Sequence, residues 1–140
     1  MPETNYPDWL YQQSAVIPYR ANKSRIEILL ITTRKGRWII PKGVIEHDLS
    51  PAQSAAKEAR EEAGVMGVVE ERKLGNYSYE KWSGKCRVQV YLMRVTKVFK
   101  IWEEDDFRTR QWFSLPEAIA AVSEPALKKM FKKMDYWLRS

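Results

Sequence analysis

The stretch from Ser50 to Gly64, SPAQSAAKEAREEAG, constrains the fold more than any other part of the chain. Ser50 can cap a helix, with Gln53 three residues on to close a capping box, and Pro51 suits a first helical turn. Gly64 ends the helix, as glycine does just past a C-terminus, so a helix is predicted over about 51–63. At roughly 100° per residue, Ala52, Ala55, Ala56, Ala59 and Ala63 share one face. Alanines make a thin, smooth surface, so this helix can lie very close to a sheet.

Sheet-forming segments flank it on both sides. Gln13 to Tyr19 reads as a strand, Arg25 to Thr33 (RIEILLITT) as a buried one, and Arg37 to Ile40 as a short one. Pro41-Lys42-Gly43 stops that strand and opens a loop. After the helix, Val68 to Trp82 reads as one strand with Gly75 as a bulge, then Ser83-Gly84 turns the chain into Lys85 to Phe99. There Cys86, Val88, Val90 and Leu92 alternate with more polar neighbours, the period of a half-buried strand. Two helices close the chain. Ser114 and Glu117 form a second capping box, and a helix over about 125–138 carries Leu127, Met130, Phe131, Met134 and Leu138 as one apolar stripe. Strands, helix, strands, helices predict a mixed sheet with helices packed on it, an α/β (α+β) architecture.

Composition bounds the rest. With 140 residues, one sizeable core is feasible and two are not, so a single domain over 1–140 is expected, residues 1–8 forming a tail. Hydrophobic residues at 44% and charged residues at 30% exclude a disordered chain. No apolar run approaches the roughly 18 residues that span a bilayer, and MPETNYPDWL lacks the basic and apolar regions of a signal peptide. Cys86 is the only cysteine, which excludes a disulfide framework and a Cys-rich zinc site. The expectation is a soluble protein of a reducing compartment, the cytoplasm. Lys and Arg total 24 against 18 Asp and Glu, a net charge of +6 that favours anionic partners such as polyphosphates.

The acidic part of this basic chain is concentrated. Glu58, Glu61 and Glu62 share a face of the predicted helix other than the alanine face. Glu58 and Glu62 are like charges at i, i+4 and repel by a few tenths of a kcal/mol. All three lie in the second half of the helix, where the dipole disfavours anions. Local helix stability does not choose this arrangement, whereas a divalent cation reverses the sign of every one of these terms. Carboxylates from adjacent turns supply the hard oxygen ligands that Mg²⁺ or Mn²⁺ take. Glu-rich helix faces are usually only solvated. A glycine loop before this helix and a glycine cap after it, within a basic chain, favour a metal site.

In these residues the chain resembles the Nudix box, G-x5-E-x7-R-E-U-x-E-E-x-G-U with U aliphatic. Gly43 stands at the first glycine, and Glu58, Ala59, Glu61, Glu62, Gly64 and Val65 match the tail in register. RWIIPKG resembles the strand and loop that lead into the box, and RQWFSLPEAI the last strand and following helix, so the resemblance covers nearly the whole chain. It implies an α/β/α sandwich with the box helix on one side of a mixed sheet and the C-terminal helices on the other. It also implies metal-dependent hydrolysis of a pyrophosphate bond in a nucleoside diphosphate linked to another moiety, or a close analogue. Carried over by position, the catalytic set is Glu58, Glu61 and Glu62 with Lys57 beside them. The metal ligands are Glu58, Glu61, Glu62 and the Gly43 carbonyl, with Glu58 as the alternative base toward water. A further carboxylate from outside the box is expected at Glu103 or Glu104. Arg34 and Lys42 are the expected phosphate clamps, with Lys35 beside Arg34.

Two positions depart from the pattern. The first glutamate falls on Leu49, which ligates nothing, and the arginine on Lys57, a point charge without a bidentate fork. Glu46 or Asp48 in the same loop can stand in for the missing carboxylate if the loop bends to suit. The PKG loop, the WEE segment and WFSLPEAI look most like the diphosphoinositol polyphosphate and dinucleoside polyphosphate branches. The partner expected is therefore a small polyphosphorylated molecule and no membrane; self-association as a homodimer is left open. Two other readings remain: a ligand-binding sensor module with weakened catalysis, which Leu49 favours, and an RNA-end pyrophosphohydrolase, which the basic balance favours. The second ranks lower because no aromatic-basic repeat points to nucleic acid. His47 reads as a surface-loop histidine, Cys86 as a core residue, Lys128, Lys129, Lys132 and Lys133 as a solvated face, and Tyr77 and Tyr79 as packing that could also stack a base.

Overall fold

Alternation along the long strands decides the architecture. The computed structural model describes residues 10–81 and 84–139. In chain order the strands are β1 (Leu10–Asn22), β2 (Arg25–Thr32), β3 (Trp38–Ile39), β4 (Lys42–Val44), β5 (Val65–Val69), β6 (Gly75–Lys81), β7 (Gly84–Val98) and β8 (Arg110–Ser114). Helix α1 (Pro51–Glu58) lies between β4 and β5 and runs on through a wide π-type turn at Ala59–Ala63; α2 (Leu115–Ala121) and α3 (Pro125–Arg139) follow β8. Strand β1 is central: it pairs in parallel with β7 and antiparallel with β2 and β4. Strand β2 also carries β3 and β8, and the far edge of β7 carries β5 and β6. One parallel pair among antiparallel ones makes the mixed sheet that the element order predicts.

Successive side chains of a strand point to opposite faces, so each face buries its own set. Ala15, Ile17, Ile28, Leu30, Val88 and Val90 meet Leu127, Met130, Phe131 and Met134 of α3 on one side. The intervening Val16, Leu29, Ile31, Tyr91 and Met93 meet Ala55, Ala59 and Ala63 on the other. The sheet is thus sandwiched between α1 and the C-terminal helices. Ala55, Ala59 and Ala63 are fully buried, so the alanine face does bring α1 down onto the sheet. Ala59→Leu is expected to destabilise the fold by about 1–3 kcal/mol through overpacking, read as a melting temperature lower by several degrees. Both capping boxes form: Ser50 Oγ accepts from the Gln53 N–H, and Ser114 Oγ from the Glu117 N–H.

Three local readings need correction. The Pro41-Lys42-Gly43 loop is in part strand β4, paired so that Ser14 faces Gly43 and Ala15 faces Lys42. A three-residue strand with an internal glycine shows no alternation to read. The single strand read over Val68 to Trp82 is two strands, β5 and β6, paired in tandem along β7. The bulge lies at Met66/Gly67 and not at Gly75. A side chain at Gly67 would strike the Arg94 carbonyl of β7, whereas Gly75 admits Met130 of α3. The tail read over residues 1–8 and Ser83 of the turn lie outside the described residues. On α3, Lys128 and Lys133 donate to the carbonyls of Ile119 and Leu74, bracketing the helix onto its neighbours, while Lys129 and Lys132 remain exposed.

Candidate active site

Strand β4 and helix α1 meet where Gly43 backs onto Glu58. A Cβ at Gly43 would overlap the Glu58 carboxyl group, its Cγ lying 2.8 Å away. The connecting loop is pinned to β1 and α1: the Ile45 N–H donates to the Gln12 carbonyl of β1 and the Glu46 N–H to Ser54 Oγ of α1, while the Leu49 N–H donates within the loop to the Glu46 carbonyl. His47 sits exposed at its tip.

The three helix glutamates divide two and one. Glu58 and Glu62 line a cleft of about 350 Å³ with Gln13, Lys42, Tyr79, Lys81 and Arg108. Their carboxyl groups lie close enough for each to shift the other's pKa. Glu62 is only 8% exposed. Its Oε1 accepts from the Lys42 N–H at 3.1 Å, and its Oε2 faces Arg108 Nη2 at 4.0 Å. Glu61 turns instead to Lys57, whose Nζ lies 2.8 Å from Glu61 Oε2 and 2.9 Å from Glu46 Oε2. Lys57 therefore stitches the loop to the helix, and Glu46, one of the two candidates for the carboxylate lost at Leu49, joins the acidic row through it. Those hydrogen bonds to Glu61 and Glu46 raise the Lys57 pKa.

Among the described residues no group of three or more His, Cys, Asp or Glu is gathered so as to hold a metal ion, so Glu58, Glu61 and Glu62 do not converge as one ligand set. Mg²⁺ does not ask for one: it is typically held by one or two carboxylates plus substrate phosphates and water. A carboxyl pair, buried at Glu62 and half-buried at Glu58, beside a Cβ-free backbone offers oxygen donors of that kind. Burial, first, and the neighbouring Glu58 push the Glu62 carboxyl up to about 8, against the pull of Arg108. Burial likewise raises Glu58, with Glu61 and Glu104 adding to it. Crowding of this kind makes the pair hold a proton more readily than free carboxylates do.

The sign of this effect on stability is fixed. Folded Glu62 keeps a proton that the unfolded chain releases near the ordinary value of 4.5, so metal-free stability declines as pH rises from there to about 8. The expected loss is on the order of 3 kcal/mol, measured by thermal melts in a chelator across pH 5–8; Glu62→Gln should flatten the curve.

Of the carboxylates outside the helix, Glu104 is the one drawn to the cleft. It binds Arg108 Nε at 2.8 Å and acts electrostatically on Glu58. Glu103 lines a separate groove with Arg60, Phe99 and Trp102. Lys42 lines the cleft, its pKa lowered by burial against the opposing pull of Glu62. Arg34 is exposed and stacks on Phe107 at 3.9 Å; Arg108 covers the same ring at 4.9 Å, so Arg34 sits behind Arg108 and does not line the cleft. Lys35 is an exposed turn residue. Tyr79 donates from its hydroxyl to Gln13 Oε1 at 2.7 Å, whereas Tyr77 packs on the core.

Sequence reasoning missed Arg108, Trp102 and Arg110. Arg108 also donates to the Thr32 carbonyl at 2.8 Å, which fixes its guanidinium between β2 and the cleft. The signal available was the pair of arginines in RTRQWF, just before a strand.

The NUDIX domain model matches residues 10–137. Nudix hydrolase 16, mitochondrial, of Arabidopsis thaliana is 34% identical over 112 residues, 74% of this chain and 62% of that protein. Diphosphoinositol polyphosphate phosphohydrolase 3-beta of Bos taurus is 33% identical over 120 residues, 83% of this chain and 71% of that one. The chain thus spans somewhat under two thirds of the Arabidopsis protein's length. In fold it is similar to the Caenorhabditis elegans Ap4A hydrolase in a binary complex, with a TM-score of 0.80 at 20% identity over 92% of this chain and 98% of that one. No helix among the described residues is long and apolar enough to cross a membrane. With the family model covering β1 to α3 and Glu58 of the box backing onto Gly43, the chain belongs to the NUDIX domain family.

Proposed function

We propose that this chain hydrolyses a phosphoric anhydride bond in a small polyphosphorylated substrate, of the nucleoside diphosphate-linked, dinucleoside polyphosphate or diphosphoinositol type, with Mg²⁺ or Mn²⁺ as cofactor. The observation that carries the reading is buried Glu62 and half-buried Glu58 lining one cleft with Lys42, Lys81 and Arg108. Carboxylates alone would repel a polyphosphate, and cations alone would bind it without acting on it. Together they describe a site for a metal and its anionic substrate.

In this reading Glu58, Glu62 and the Gly43 carbonyl hold the cation, with Glu61 and Glu104 at its border. Lys57 orients Glu61 and Glu46. A bound divalent cation would neutralise charge developing on phosphate oxygens and acidify a water. Glu62 is fixed by the Lys42 N–H and Arg108, so Glu58 is the carboxylate left to take the proton of the attacking water. Lys42, Lys81 and Arg108 orient the substrate phosphates. The names of relatives that act on diphosphoinositol polyphosphates and on Ap4A support this substrate class. A reducing compartment such as the cytoplasm is the setting that a lone, fully buried Cys86 supports.

The test is a hydrolysis panel with Mg²⁺ in ¹⁸O-labelled water: nucleoside triphosphates, ADP-ribose, dinucleoside polyphosphates, diphosphoinositol polyphosphates and triphosphorylated RNA. Fastest turnover of the densely charged small molecules, with label in one phosphate product, is expected. Preference for nucleoside triphosphates or ADP-ribose would reject the substrate class, and preference for the RNA end would favour the nucleic-acid reading. Leu49 favours a second reading, a ligand-binding module with weakened catalysis; tight binding of the same compounds without turnover would establish that instead.

A further inference from the structure

Helix α1 ends in the π-type turn Ala59–Ala63, where the Gly64 N–H reaches back to the Ala59 carbonyl as well as to Arg60. Such a wide turn is rare, and a helix C-terminus leaves its last four carbonyls unpaired. Here every carbonyl from Glu61 to Gly64 receives a donor from one distant segment. The Glu104 N–H donates to Glu61 O at 3.1 Å, and Trp102 Nε1 to Glu62 O at 3.0 Å. Arg110 Nη1 donates to Ala63 O at 2.9 Å and to Gly64 O at 3.2 Å, where the Phe99 N–H also donates at 2.8 Å. The Arg110 guanidinium lies flat on the Trp102 ring, 3.9 Å from its centre, and its Nη2 donates to the Phe99 carbonyl. Gly64 has φ +66°, and a Cβ there would strike both Trp102 and Arg110, so the clamp needs glycine at this cap.

We propose that Arg110 and Trp102 are positioning residues for the hydrolysis assigned above, anchoring the end of the helix to their own segment so that Glu62 stays against the Lys42 N–H and Arg108 in the cleft. The inference rests on that functional reading. A π-type turn accommodates one residue more than an α turn, and one residue corresponds to roughly 100° of rotation. Glu58 and Glu62 share a face in either form, but relaxation to a regular helix end would rotate Glu61 and Glu62 relative to the distant segment that their carbonyls bind. The same segment carries Glu104 and Arg108, so the clamp also sets the far wall of the cleft.

The experiment compares wild type with Arg110→Met, which removes the donors and keeps most of the apolar stem, and with Trp102→Phe, which removes the indole N–H with its five-membered ring and keeps an aromatic face for Arg110. Each is assayed well below its melting temperature, and Mn²⁺ binding without substrate is followed by electron paramagnetic resonance. Arg110→Met is expected to lower kcat by about a hundredfold with KM changed less than about threefold, since misplacement by about 1 Å suffices for that loss. Its Mn²⁺ affinity should fall about tenfold, in the range for groups that orient metal ligands. Trp102→Phe should move both quantities in the same direction by a smaller factor, and it decides the question if Arg110→Met does not fold. Wild-type kcat and Mn²⁺ affinity in folded variants, with only a lower melting temperature, would overturn the clamp and leave the functional reading standing. A wild type that neither turns over nor binds Mn²⁺ would remove both.

Discussion

Glu62→Gln is expected to lower kcat by about a thousandfold, since a bound cation supplies several kcal/mol of transition-state charge stabilisation and Glu62 is one of the two carboxylates proposed to hold it. Glutamine preserves the volume of a side chain that is 8% exposed, and its carbonyl can still accept from the Lys42 N–H. What it removes is the second charge of the carboxylate pair. In the metal-free protein at neutral pH, burial and Glu58 already hold much of Glu62 in its neutral form, so the variant should fold as well as wild type. Above about pH 7 it should melt higher in chelator, because the native protein no longer has to bury a second charge. Lys42, Lys81 and Arg108 are untouched, so KM should move less than about threefold. A folded variant retaining more than about a tenth of wild-type turnover would remove Glu62 from the catalytic centre.

Gly43→Ala should cost about a hundredfold in kcat while leaving the fold in place. The added methyl meets the end of a flexible side chain, Glu58 from Cγ to the carboxyl, and not backbone. Glu58 can therefore swing away, and displacement by about 1 Å is enough for that loss. Strand β4 keeps its pairing with β1, since alanine tolerates extended backbone. Because Glu58 would leave Glu62 without its acidic neighbour, the pH dependence of metal-free stability should weaken in this variant as well. Kinetics and melting curves together test both statements. A Gly43→Ala enzyme with unchanged kcat would mean that the Glu58 carboxyl does not work from its place behind Gly43.

What was legible in the sequence is what local chemistry controls. Ser50, Pro51 and Gly64 bound the helix because caps act within a turn, and the alanine stripe reports the sheet beneath it because no bulkier face could approach so closely. Leu127, Met130, Phe131 and Met134 read as a stripe and are buried as one. Glu58 and Glu62 were legible as a conflict: like charges at i, i+4 near a helix C-terminus. The missed elements depend on contacts distant in sequence. Strand β4 exists because β1 changes partner along one edge, from Gln13–Ala15 to Tyr19–Asn22. The π-type turn exists where Trp102 and Arg110, some 40 residues on in the case of Trp102, satisfy its carbonyls. Glu103 and Glu104 are equivalent as neighbours in sequence; only the ion pair to Arg108 separates them. Glu61 was read with the other two glutamates, but the lysine one turn earlier, at the position of the family's arginine, draws its carboxylate aside.

The central claim is that the Glu58–Glu62 pair is crowded because a divalent cation belongs beside it. Crystals soaked in Mn²⁺ with a non-hydrolysable substrate analogue, measured at the manganese absorption edge, test it directly. The account predicts an anomalous peak between the two carboxyl groups, next to the Gly43 carbonyl. An empty map there, with the analogue bound in the cleft, would contradict it.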